Sequence, residues 1–107
     1  MDGHWPVTID AGFYAVFHMI EALNALECRD AYTFADALDI LERILAPRYL
    51  GQEFLGNYEY LFYFRRGALY GAHFPSPVAV ARYAELCERM YAHVSAIVVE
   101  GEAAAGR

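Results

Sequence analysis

Phe13, Val16, Phe17, Ile20 and Leu23 recur at intervals of three and four residues. An α-helix turns once in about 3.6 residues, so these side chains form one apolar stripe. Ala15, Met19, Ala22 and Leu26 lie on the far side, and only Tyr14, His18 and Glu21 make a narrow polar strip. A helix apolar on two faces is buried between neighbours, and its small residues let one of those neighbours come close. The pattern predicts a helix from about Thr8 to Glu27, with Thr8 or Asp10 as its cap.

Three further segments carry the same period. The second runs from about Thr33 to Ala46, with Phe34, Leu38, Leu41 and Leu45 as its stripe. Thr33 and Asp36 resemble a capping box, and Pro47 is expected to stop the helix. The third runs from about Gln52 to Tyr70. Leu55, Tyr58, Phe62, Arg65 and Leu69 share a face, with Leu61 and Phe64 beside it. Gly56 and Gly67 weaken it, and the aromatic run YEYLFYF leaves a strand as the alternative. The fourth begins with Ser76 as N-cap and Pro77 as first helical residue. Tyr83, Leu86, Met90, Val94 and Ile97 form its stripe, and it is expected to end near Val99. Short connections favour antiparallel neighbours, so the expected fold is all-α, an up-and-down antiparallel four-helix bundle. The chain reads as a single domain over residues 1–98 with a disordered tail over 99–107.

Composition narrows the function classes. Of 107 residues, 58% are apolar and 16% aromatic, a surplus that suggests a face turned to a second subunit, hence a homodimer. All 8 basic residues are arginine and the formal net charge is −6, which argues against broad electrostatic binding to nucleic acid. Any RNA contact is then local and arginine-based. Cys28 and Cys87 lack metal-ligand spacing, and the first residues carry neither a basic region nor an apolar run of a signal peptide. The reading is a cytoplasmic protein with free thiols, and no apolar run approaches membrane-spanning length.

The chemistry-bearing stretch is RRGALYGAHF, residues 65–74. Cleaving RNA without metal needs a base for the ribose 2′-hydroxyl, an acid for the leaving oxygen and a cation on the phosphate. Histidine titrates near neutrality and arginine offers phosphate a planar fork, so Arg65, Arg66 and His73 are the candidate catalytic set. The competing reading is a basic helix end facing its own dipole, followed by a loop histidine. Tyr14, His18, Glu21 and Tyr70 are candidate substrate-binding residues. His18 and Glu21 alone fall short of a metal site, and a buried hydrogen-bonded set reaching Arg65 is the other use of that strip. The aromatic cluster Tyr58, Tyr60, Phe62, Tyr63 and Phe64 serves either base stacking or core and interface. His93 and Cys87 read as packing or surface, and the sequence assigns His4 and Trp5 no definite role. No cofactor is expected.

These motifs resemble the HEPN family. DAGFYAVFHMIEALNAL looks like that family's second helix, through Phe13-Tyr14, Phe17-His18 and Glu21-Ala22-Leu23. RRGALYG resembles its arginine helix end, through Arg65, Ala68, Tyr70 and Gly71, and ARYAELCERMYAHV fits its last helix. The likeness covers about residues 8 to 98. Two features depart from the pattern. The family's usual first helix has no counterpart here, which implies a bundle completed by a second subunit. Catalytic relatives also place four to six residues between an arginine and a histidine. Arg66 to His73 leaves six, whereas Arg65, the better match to Tyr70 and Gly71, leaves seven. The resemblance implies binding to or action on RNA or nucleotides, either as the metal-independent ribonuclease toxin of a toxin–antitoxin or defence pair, or as a non-catalytic dimeric module. In both cases the implied partner is a small nucleotidyltransferase, acting as antitoxin in the first.

Overall fold

The computed structural model describes residues 5–26, 34–71 and 74–105. His4, Cys28, Thr33 and His73, each given a reading above, lie outside the described residues, as do 106 and 107 at the end of the expected tail. The described residues are helical apart from two short connecting stretches, residue 71 and residues 74–76, with no strand among them.

The first helix, α1 (Trp5–Leu26), begins a turn earlier than the periodicity predicts. Pro6 is tolerated there because first-turn N–H groups have no intrahelical acceptor. Thr8 and Asp10 therefore sit inside the helix rather than at its cap. The predicted stripe is buried throughout, and Ile9 and Asn24 join it.

The second helix, α2 (Phe34–Ile40), is short, and the helical path does not stop at Pro47. It widens into a π-helical stretch over Leu41–Leu50 that runs through the proline. A proline ring in an α-helix collides with the carbonyl four residues back; a wider turn relieves that collision. The Gly51 N–H donates to the Ala46 carbonyl, a five-residue step spanning Pro47. Leu41, Leu45, Ala46 and Leu50 are buried, while Leu38 is only half-buried. Gly51 closes the stretch at φ 86° and ψ 168°, a conformation open almost only to glycine.

The third helix, α3 (Gly51–Tyr70), carries the aromatic run as helix, not strand. Phe54, Leu55, Tyr58 and Leu61 are its buried residues. The fourth, α4 (Pro77–Ala105), starts as predicted: the Ala79 N–H donates to Ser76 Oγ at 3.1 Å. It continues past the end expected near Val99, so residues 100–105 are helical. Its core stripe is Val80, Tyr83, Cys87, Met90, Val94 and Val98. Leu86 and Ile97, predicted as core, are half-buried, because the buried face lies one position further round.

The helices do not alternate in direction as expected. Phe13 meets Tyr58 and Phe62, and Asp10 meets Arg65, so α3 runs antiparallel to α1. Phe64 stacks on Tyr83 while Phe54 lies against His93, so α4 is antiparallel to α3. Trp5 touches Phe74 just before α4, and Gly12 faces Cys87 further on, so α1 and α4 run parallel. Strict alternation would oppose them. It fails because α2 and the π-helical stretch are too short to supply a full returning helix; they pack at the end where α1 finishes and α3 begins. The pairing of α1 with α4 is the most extensive in the molecule, which is elongated at 48 × 22 × 22 Å.

Candidate nucleotide-binding site

The adjacent arginines of the RRGALYG stretch have different surroundings. On α3 they lie about 100° apart around the axis, so only one can face α1. That one is Arg65. Its side chain is only 11% exposed, and its Nε donates to Asp10 Oδ1 at 2.8 Å. Its guanidinium carbon lies 5.3 Å from the Phe13 ring centre, 5.5 Å from that of Tyr14 and 5.9 Å from that of Tyr70. Burial works against the charged form. The hydrogen bond and negative charge of Asp10, with the phenols of Tyr14 and Tyr70, outweigh it and hold the guanidinium above its ordinary pKa. Arg65 is thus fixed between two helices by a carboxylate and three rings.

Arg66 faces outward. It lines an open hollow of about 540 Å³ with Tyr63, Gly67, Tyr70 and Gly71, and no hydrogen bond or ion pair engages it among the described residues. The hollow follows from the local sequence. Tyr63, Arg66 and Tyr70 fall on one face of the last turns of α3, and Gly67 leaves the backbone bare between them. The helix ends where the Gly71 N–H donates to the Gly67 carbonyl at 2.9 Å. A Cβ on Gly71 would collide with that carbonyl oxygen, so no larger residue fits this ending unchanged.

Tyr70 links the two environments: one side of it neighbours Arg65 and it also lines the Arg66 hollow. Tyr14 joins Arg65 from α1. The other polar residues of that strip stand further along the helix. His18 is exposed and stacks beside Tyr14, and its Nδ1 lies 2.9 Å from Glu21 Oε1. The buried hydrogen-bonded set expected for Tyr14, His18 and Glu21 is instead an accessible ridge, because the inner face of α1 is filled by apolar side chains. Arg65 and Arg66 do not converge on one cleft, since Arg65 is turned inward to Asp10. His73 follows Gly71 closely in the chain but lies outside the described residues.

Asp10, which neutralises Arg65, was missed as a partner. Its signal was its place on the same helical face as Tyr14 and Glu21, which extends the polar strip of α1 toward its start. Two other hollows between α3 and α4 both contain Arg89, one with His93 and the other with Arg82, but Glu53 lines both and Glu85 the second, which offsets their charge. Among the described residues, the Arg66 hollow includes a cation and no acid, which matters in a chain of net charge −6. No group of three or more His, Cys, Asp or Glu side chains is placed to hold a metal among the described residues. No described helix is long and apolar enough to cross a membrane. Comparison of the chain with family models, curated proteins and solved structures returns no match.

Proposed function

We propose that this chain is a HEPN-like helical protein that binds nucleotides or single-stranded RNA at the Arg66 hollow. The observation that carries this reading is an exposed, unengaged arginine flanked by the exposed rings of Tyr63 and Tyr70. Guanidinium forks recognise phosphate oxygens, and open aromatic faces stack on bases. The acidic chain makes the contact local, consistent with one cation and two rings rather than a broad basic surface. Arg65 is the scaffold of this site, and Arg66 the ligand contact.

Cleavage is the second reading, favoured by the position of His73 two residues beyond Gly71. In that reading Arg66 holds the scissile phosphate and His73 transfers a proton. The paired setting with a nucleotidyltransferase applies to both readings. A homodimer is supported by a largely apolar hollow between α1 and α4, lined by Gly12, Ala15, Ala84 and Tyr91 among others, with Val7 and Val99 also exposed on those helices.

Binding is tested with AMP and a fluorescent single-stranded RNA. Wild-type protein should bind both and Arg66→Ala neither, with the fold intact by circular dichroism. Equal binding by the variant would refute the site. Cleavage of that RNA in EDTA, lost in His73→Ala with binding kept, would select the ribonuclease; intact RNA across pH 6–8 would select the binding module.

A further inference from the structure

Gly67 has no structural reason to be glycine. It lies inside α3, where glycine weakens a helix relative to alanine. Its φ is not positive, and an added Cβ would meet no atom within 4 Å. A Cβ there would project into open space. Gly67 and Tyr63 line the Arg66 hollow and also a second hollow of about 270 Å³ completed by Phe64, Ala68, Phe74 and Pro75. The two hollows adjoin at these two shared residues, Tyr63 and Gly67.

Three rings stand around this floor with unusual exposure: Tyr63 at 59%, Tyr70 at 74% and Phe74 at 85%. Each has an aromatic or cationic neighbour. Tyr63 is edge-on to Phe62 at 5.3 Å, Phe74 is edge-on to Trp5 at 6.0 Å, and Tyr70 neighbours the Arg65 guanidinium. Among the described residues, no acidic side chain lines either space. Planar groups joined by a single negative charge match exposed rings beside a cation better than a protein segment, whose recognition would need no cation next to the rings.

We propose that the two hollows form one platform for two consecutive bases of a single-stranded nucleic acid. Tyr63 is the divider, Gly67 the floor and Arg66 the phosphate contact. One base takes the Tyr70 compartment and the next takes the Phe74 compartment. This rests on the reading of the Arg66 hollow as a nucleotide site and adds the length of the ligand it accepts.

The test compares the methyl ester of AMP with the dinucleotides ApA and dApdA, all of which carry one phosphodiester charge, by calorimetry on the full chain. At least one dinucleotide should bind about tenfold more tightly than the ester, the gain of one extra stacked base. Phe74→Ala should abolish that advantage, bringing dinucleotide affinity down to about that of the ester. Gly67→Ala should raise the melting temperature yet weaken dinucleotide binding, which separates the platform from any fold defect. If the ester binds as tightly as both dinucleotides, or if either variant keeps the full dinucleotide affinity, the two-base platform is wrong while the Arg66 site stands. If AMP, the ester and both dinucleotides all fail to bind, both ideas fall and the surface belongs to a protein partner.

Discussion

Asp10 and Arg65 are separated by 55 positions in the chain and meet at 2.8 Å between α1 and α3. The arginine is nearly enclosed while the acid is 46% exposed, so water screens one side of the pair. Hydrogen bonds to charged groups contribute about 1.5–3 kcal/mol, and the screening places this one toward the low end. Asp10→Asn should cost about 1–2 kcal/mol in urea denaturation. Arg65→Lys should not restore full stability, because an ammonium lacks the planar face that lies against Phe13, Tyr14 and Tyr70. An Arg65→Lys protein as stable as wild type would show that the rings contribute nothing.

Phe17 and Leu86 were both expected in the core, but only Phe17 is buried. Phe17→Ala should destabilise by about 3–5 kcal/mol, the usual range for a buried phenylalanine. Leu86→Ala should cost about 1 kcal/mol, since its side chain packs at the edge of the core and is only partly buried. Met90→Ala should cost more than Leu86→Ala. Denaturant midpoints of the three variants check this order.

Two glycines near the start of α3 should respond oppositely to alanine. Neither Gly51 nor Gly56 has a neighbour that a Cβ would touch. Gly51 has a positive φ, so Gly51→Ala should destabilise by about 1–3 kcal/mol through backbone strain alone. Gly56 lies within the helix without that constraint, and Gly56→Ala should stabilise by about 1 kcal/mol. Thermal melts read both signs directly.

Burial pushes the Cys87 thiol from 9.0 up to about 12, and it also raises the phenols of Tyr58 and Tyr83 well above their ordinary value. The folded state thus favours the neutral forms. Their contribution to stability is fully present below the unfolded pKa values and is lost as pH rises through the folded ones. Stability should fall from about pH 9 upward, by about 1.4 kcal/mol per pH unit for each group past its unfolded pKa. Cys87→Ser should soften the first part of that decline. At pH 8 the Cys87 thiol should react with a disulfide reagent only as fast as the protein opens.

The stripe on α1 was legible because five apolar residues repeat at one period with no breaker among them. The start of α4 was legible for a local reason, since a serine followed by proline makes its own cap. The π-helical stretch was not legible, because Pro47 reads as a terminator whenever a turn of α-helical width is assumed. The parallel course of α1 and α4 was hidden too, since helix direction depends on how much chain returns between helices. In the site, the pair of arginines was visible but their division of labour was not. It depends on which of them the twist of α3 turns toward Asp10, and a shift of one position would exchange them.

The parallel packing of α1 against α4 has a consequence for how the chain is made. The first helix is synthesised well before its principal partner, α4. Until residues 77–105 have emerged, the stripe from Ile9 to Leu23 lacks the surface that covers it most extensively. Long-range closure of this kind slows folding, and an uncovered apolar helix invites aggregation meanwhile. A ribosome stalled before α4 would therefore leave the apolar stripe of α1 without its main cover.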